Sequence, residues 1–239
     1  MNDEDLLLIN RGLQKASAVT AAYCNIMVSV SGGKDSDVML DMLLRVCPKE
    51  KLRFVFFDTG IEYAATKRHL DDIEKKYGIT IERVKPKRPV PLGVKHYGIP
   101  FFSKDVSAKI NCLQNHNFDF ANDGWKSFDE LMEKYPNVKS PLEWWCNVKT
   151  SHNIKENKLL KEFMIANPPQ FKISAGCCYG AKKSPSHAYE KANQFDLKCL
   201  GLRKMENGVR STAFQNCFTP DGTCHMQNFR PLWWSRKNT

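Results

Sequence analysis

The sequence contains no apolar run near the length of about 18 residues that a membrane-spanning helix needs. It has no internal repeat and no low-complexity tract, which excludes a solenoid and a long flexible linker. Positive charge is missing at the start. Met1-Asn2-Asp3-Glu4-Asp5 is acidic where a secretory or transit segment is basic, and Leu6-Leu7-Leu8-Ile9 is interrupted by Asn10-Arg11. A soluble, cytoplasmic protein with no membrane partner is expected. The six histidines (His69, His96, His116, His152, His187, His225) form no pair at the HxxxH spacing that puts two imidazoles on one helix face, and His225, beside Cys224, is the one to consider as a ligand. Cysteine, by contrast, is abundant. Nine is an odd number, which argues against a closed disulfide framework and leaves metal ligation or reactive thiols to be weighed.

The chain has 239 residues, enough to bury a full core, and its length allows one α/β domain with an appended lobe. Its formal net charge of +10 favours polyanionic partners. Nucleotide phosphates meet that demand, and nucleic acid stays open as a second kind of partner. The acceptor substrate and the oligomeric state are not legible.

Leu6 to Tyr23 carries apolar residues at helical spacing and reads as a leading helix. Ile26 to Val30 is a short β-branched run ending at a glycine pair, and Val38 to Val46 then reads as a buried helix closed by Pro48. Phe54 to Phe57 reads as a second strand, Asp58-Thr59-Gly60 as its exit loop, Ala64 to Tyr77 as a helix ended by Gly78, and Ile79 to Val84 as a third strand. Alternating strands and helices predict an α/β fold with a parallel, doubly wound sheet and ligands outside the carboxyl ends of its strands. Lys85 to Pro100, rich in Pro, Gly and Lys, reads as a surface connection. It divides a nucleotide-binding half, 1–100, from a substrate and cysteine-containing half, 101–239. Periodicity weakens over Asn111 to Pro141, Asn153 to Ala166 reads as a helix, and Leu197 to Leu200 as a strand returning to the same sheet. The two halves then make one continuous domain, with a smaller, mostly helical or irregular C-terminal portion.

Ser31-Gly32-Gly33-Lys34-Asp35-Ser36 stands between the first strand and its helix. Two glycines free the backbone to turn its amides into a concave nest for an anion. The helix start adds partial positive charge, Lys34 a full one, and Ser31 and Ser36 hydroxyl donors. The plain alternative is a Gly-Gly turn with a capping serine. Asp58, just beyond a buried strand, stands where a carboxylate can hold a magnesium ion or a ribose hydroxyl.

The string SGGKDS resembles the PP-loop of the ATP pyrophosphatase, or adenine nucleotide alpha-hydrolase, superfamily. Val55 to Gly60 with Thr66 resembles the second-strand signature of the phosphoadenylylsulfate (PAPS) reductase family, and Gly201-Leu202-Arg203-Lys204-Met205-Glu206 with Arg210 resembles its GxRxxE...R segment. The likeness runs from about Cys24 to Trp234. It implies a Rossmann-like sheet and makes Ser31 to Ser36 the phosphate loop, with Asp58, Thr59 and Gly60 beside it. It makes Lys34 and Asp35 catalytic, and Arg203 and Arg210 anion clamps, unless those arginines only form surface salt bridges. The implied ligands are ATP or a PAPS-like adenine nucleotide, with magnesium.

A sulfonucleotide reductase carries its nucleophilic thiolate in a Glu-Cys-Gly motif on a C-terminal tail, whereas this sequence ends Pro231-Leu232-Trp233-Trp234-Ser235-Arg236-Lys237-Asn238-Thr239. The resemblance therefore implies ATP cleavage between the α and β phosphates, in the service of sulfur transfer or another acceptor, ahead of PAPS or APS reduction. A third reading is a nucleotide-binding component of a nucleic-acid-associated assembly that has lost turnover. Cys177, Cys178, Cys217 and Cys224 resemble the iron-sulfur ligands of several relatives, and thiolates also suit zinc. The alternative is small buried apolar side chains, which is the reading for Cys24, Cys47, Cys112, Cys146 and Cys199. Trp144-Trp145, Trp233-Trp234, Phe101-Phe102 and Tyr97 read mostly as core, with base stacking open.

Overall fold

Strand β1 (Ile26–Ser29) owes its place to a four-residue run that is apolar on both faces. Ile26 and Val28 point to one side of the sheet and Met27 to the other, and all three are fully buried. A computed structural model describes residues 3–148, 154, 158–202, 218–220 and 227–229. The chain forms two compact units, one from 1–86 with 184–239 and the other from 87–183.

The first unit holds β1, β2 (Leu52–Phe57), β3 (Ile81–Val84), β4 (Leu197–Leu200), β5 (Phe218–Pro220) and β6 (Gln227–Phe229), in the order β3-β2-β1-β4-β6-β5. Pairing is parallel throughout except between β5 and β6. Val28 stands opposite Phe54 on one side and Cys199 on the other. Helices α1 (Asp3–Ala21), α2 (Lys34–Val46) and α3 (Ala64–Tyr77) bring Ala16, Leu40, Leu43 and Leu70 against Ile26, Val28, Phe54 and Phe56 in the main core. A smaller cluster of Met27, Val55 and Phe195, backed by Tyr189 of α11 (Ser184–Asn193), lies on the other sheet face. Gly78 ends α3 in the left-handed conformation, as its position after Tyr77 predicts. The Asp196 carboxylate accepts the Cys24 amide at 2.8 Å and the Asn25 amide at 3.0 Å, pinning the starts of β1 and β4 together.

The second unit is helical: α4 (Val90–Tyr97), α5 (Lys104–Asn115), α6 (Phe120–Asp123), α7 (Phe128–Lys134), α8 (Lys139–Trp145), α9 (Lys158–Ala166) and α10 (Gly176–Cys178), the last running into a π-helical turn, Tyr179–Lys183. The segment read as a surface connection thus contains α4. The stretch of weak periodicity, Asn111 to Pro141, holds helices too short to show a period. Trp145 is fully buried, edge-on to Phe118 and Phe120 at 5.6 and 5.5 Å, and its indole N–H donates to the Gly124 carbonyl at 3.0 Å. Trp144 is buried as well, so this pair belongs to the core and not to a base-stacking surface. Phe102 departs from the core reading: it is 68% exposed and left-handed, with φ 60°. Cys24 departs likewise, being exposed, while Cys47 and Cys199 are buried as expected. Burial raises the Cys47 and Cys199 thiols above their ordinary value, so both are protonated packing groups. No helix among the described residues is long and apolar enough to cross a membrane.

Candidate nucleotide site at the carboxyl edge of the sheet

The sheet's order turns at β1, whose neighbours are β2 on one side and β4 on the other. Connections leaving β1 and β4 therefore diverge, and in open α/β sheets ligands enter at such a point, beyond the carboxyl ends of the strands. Three segments singled out in the sequence lie at these ends: the loop after β1, the loop after β2, and Gly201 after β4.

Beyond β1 the pairing with β2 continues for one residue, the Val30 amide donating to the Val55 carbonyl at 2.9 Å. Gly32 then takes φ 72°, and a Cβ there would stand 2.7 Å from Cγ2 of Thr66 on α3. Conformation and space both demand glycine. Gly33 is the N-cap of α2, with extended backbone and no side-chain cap. Ser36 is 2% exposed. Its hydroxyl donates to the Gly33 carbonyl at 2.7 Å and accepts the Ser31 hydroxyl at 3.0 Å and the Ser31 amide at 3.2 Å. The Gly33 amide leans on the Ser31 hydroxyl at 3.3 Å. The two serines thus brace the loop from within. Among the described residues, the Gly32 and Lys34 amides have no hydrogen-bond acceptor, and the exposed Lys34 ammonium has no ion-pair partner. Asp35, the second residue of α2, is half-buried.

Gly201 presses on the same turn from β4: a Cβ on it would stand 2.7 Å from the Ser36 nitrogen and 2.8 Å from the Asp35 carbonyl. Its backbone can come this close only without a side chain. Arg203, Glu206 and Arg210, which follow it in the motif, lie outside the described residues.

The loop after β2 begins with Asp58, whose amide donates to the Val84 carbonyl at 3.0 Å. Its Oδ1 accepts the Gly60 amide at 3.0 Å and its Oδ2 pairs with Lys67 Nζ at 3.1 Å. Burial pushes the Asp58 carboxyl up, but the hydrogen bonds donated by the Gly60 amide and the Lys67 ammonium, aided by the lysine's charge, help hold it below its ordinary value. Thr59 is 3% exposed, and Gly60 has φ 85°. The Glu62 carboxylate closes the loop. Its Oε1 accepts the Thr59 amide at 3.0 Å and hydroxyl at 2.5 Å, and its Oε2 accepts the Gly60 and Ile61 amides at 3.0 and 3.2 Å.

Glu62 is a site residue that the sequence reading passed over. Its signal was present, for Thr59-x-x-Glu62 has the spacing of a capping box, in which a carboxylate reaches back to an amide three residues earlier. A second missed pair, His69 Nε2 to Asp37 Oδ2 at 2.7 Å, ties α3 to α2 one turn beyond the Gly32–Thr66 approach. Nothing in the sequence pairs these two residues.

A cleft of about 380 Å³, lined by Lys49, Arg53, Gly78 and Glu82 among others, lies at the amino ends of β2 and β3, the wrong edge for this site. In the helical unit, Cys178 is half-buried and lines a cleft of about 290 Å³ with Phe101, Phe102 and Lys104. Cys177 is buried, and a Cβ on Gly93 would stand 3.1 Å from its Cα. Cys217 and Cys224 lie outside the described residues, as do His225 and Trp233-Trp234. Among the described residues no group of three or more His, Cys, Asp and Glu side chains is placed to hold a metal. Two adjacent thiols with one buried do not themselves form a ligand set for zinc or an iron-sulfur cluster. Magnesium stands differently, since a triphosphate carries it and a half-buried carboxylate such as Asp58 suffices to meet it at one coordination position.

Comparison with known proteins adds three findings. A family model described as the phosphoadenosine phosphosulfate reductase domain matches residues 25–237. An uncharacterized protein of Methanocaldococcus jannaschii is 43% identical over 75 residues, a stretch that covers 31% of this chain and spans only 15% of that relative's length. A solved structure of PAPS reductase from Candida auris, a phosphate complex, aligns with 98% of this chain and 80% of its own at 15% identity and a TM-score of 0.47.

Proposed function

The chain belongs to the phosphoadenosine phosphosulfate reductase domain family, whose substrates are adenine nucleotides, and from that premise we propose that it binds ATP and cleaves it between the α and β phosphates. The supporting observation is the build of the loop after β1. Left-handed Gly32 and extended Gly33 deliver unengaged amides and the Lys34 ammonium to the start of α2, where the order of the sheet turns.

In this reading the amides of Gly32 and Lys34 and the ammonium of Lys34 hold the β and γ phosphates. A nucleophile on the acceptor attacks the α phosphorus, the bond from that phosphorus to the bridging oxygen breaks, and its electron pair leaves on pyrophosphate. The acceptor is left joined to AMP. Lys34 and the loop amides stabilise the charge that grows on the leaving group, which makes Lys34 the main catalytic group with Asp35 beside it. Asp58 meets the magnesium that arrives with the nucleotide or a ribose hydroxyl, and Thr59 and Gly60 shape the pocket edge. Arg203 and Arg210 complete the reading as clamps on the departing anion. Cys177, Cys178, Cys217 and Cys224 carry no step in it.

Two measurements test the reading. Calorimetric titration with ATP, PAPS and AMP should rank ATP above AMP, because the loop binds the phosphates that AMP lacks. Pyrophosphate should then appear with magnesium, ATP and one of a panel of sulfur, carboxylate and nucleic-acid acceptors. AMP binding as tightly as ATP would remove the loop from the site. PAPS binding far above ATP, with thiol-dependent release of sulfite, would make the protein a sulfonucleotide reductase instead.

A further inference from the structure

The carboxylate of Glu62 accepts four donors from three consecutive residues: the Thr59 amide and hydroxyl, the Gly60 amide and the Ile61 amide. Successive amides that converge on one point form an anion nest. Here the anion is the chain's own, and the nest has two connections to the candidate site. Upstream, the Gly60 amide is shared with Asp58 Oδ1 at 3.0 Å, so the Asp58 carboxylate and the nest hold each other in place. Downstream, Glu62 is followed by Tyr63, the N-cap of α3, and Thr66 on the first turn of that helix meets Gly32. One carboxylate therefore sets both the orientation of Asp58 and the start of the helix against which the phosphate loop rests.

We infer that Glu62 is a positioning residue, an intramolecular anion that holds the β2–α3 loop in its binding shape while making no contact with the nucleotide. Its consequence for nucleotide rests on the function proposed above, whereas its consequence for the loop does not. Without the carboxylate, the amide and hydroxyl of the buried Thr59 and the amide of Ile61 lose their acceptor, and the Gly60 amide is left with Asp58 Oδ1 alone. An exogenous carboxylate small enough to enter the nest restores that acceptor.

The experiment compares wild type, Glu62→Ala and Glu62→Gln by ATP titration and by thermal unfolding, each with sodium formate and with sodium chloride at equal ionic strength. Glu62→Ala is expected to lose about tenfold in ATP affinity, because the carboxylate acts on the nucleotide only through the loop it orders. Formate, and not chloride, is expected to recover most of that loss saturably and to raise the unfolding temperature of the variant, leaving wild type unmoved. Glu62→Gln, which keeps an acceptor oxygen, should fall between the two. If Glu62→Ala binds ATP as wild type does, or if formate changes neither affinity nor unfolding temperature in the variant, the positioning role is wrong. If wild type binds no ATP, the nucleotide reading fails by itself, and the formate-dependent rise in unfolding temperature still decides the role of Glu62. Should Glu62→Ala not fold, the same two readouts are taken on Glu62→Gln, where wild-type affinity and unfolding temperature would overturn the proposal.

Discussion

The loops after β1 and β2 are built alike and completed differently. Each follows a buried parallel strand, turns on a left-handed glycine (Gly32 at φ 72°, Gly60 at φ 85°) and leads into a helix. After β2 the chain supplies its own anion, and Glu62 takes the Thr59, Gly60 and Ile61 amides. After β1 it supplies two serines, which brace each other and the Gly33 carbonyl, while the Gly32 and Lys34 amides meet no carboxylate among the described residues. The difference teaches that a glycine turn alone does not mark a ligand site. What matters is whether the chain satisfies the donors itself. Asp123 in the helical unit is the sealed extreme: 1% exposed, it accepts Lys126 Nζ at 2.7 Å, Lys134 Nζ at 2.6 Å and the Tyr135 hydroxyl at 2.5 Å.

The sharpest test of a sealed carboxylate is Asp123→Ala. Burial would raise this carboxyl, but the hydrogen bonds from Lys126, Lys134 and Tyr135 override it and hold it far below its ordinary value. Both lysines are partly exposed and can turn to water, which limits the expected cost to about 2–3 kcal/mol by chemical denaturation at neutral pH. Because the folded value is depressed, the stabilisation is complete above the unfolded carboxyl value of about 4 and fades as the pH falls below it. Wild type should therefore lose stability over that acid range more steeply than the variant, and equal slopes would mean that Asp123 is not the group responsible.

Gly32→Ala probes the loop left open. A left-handed alanine costs about 1–2 kcal/mol, and the overlap with Thr66 adds to it. A destabilisation of about 2 kcal/mol is expected, with a loss of ATP affinity beyond what Lys34→Ala causes. Lys34→Ala itself should leave the denaturation midpoint unchanged, since the side chain is exposed, and weaken ATP about tenfold, or about 1.4 kcal/mol. Unchanged affinity would move the phosphates away from this loop. The smallest effect is expected at Asp58→Asn. Its Lys67 partner is largely exposed, so stability should fall by about 0.5–1 kcal/mol at neutral pH and by less in acid, where the depressed carboxyl of wild type becomes protonated.

The parts of the molecule legible in the sequence are those whose causes are local. Phe54 to Phe57 and Leu197 to Leu200 read as strands because each is a short, largely apolar run, and Gly78 marks the end of α3 because left-handed caps favour glycine. The loop Ser31 to Ser36 stood out for the same reason, its glycines and lysine lying within one turn of chain. The helical unit was less legible. Helices such as Phe120–Asp123 and Lys139–Trp145 span one or two turns, which is too few for an apolar period to emerge before the chain changes direction.

By itself, then, the sequence determined the alternation of strands and helices, the parallel sheet that follows from it, and the place of the glycine loop between the first strand and its helix. Only the tertiary structure decided that Asp196 would clasp the amides of Cys24 and Asn25, that Gly201 would close on the turn at Asp35 and Ser36, and that Thr66 would fill the space beside Gly32. The reason is range. Backbone preference and apolar spacing act within a few residues, whereas these contacts join segments that meet only after the sheet has brought distant strands side by side.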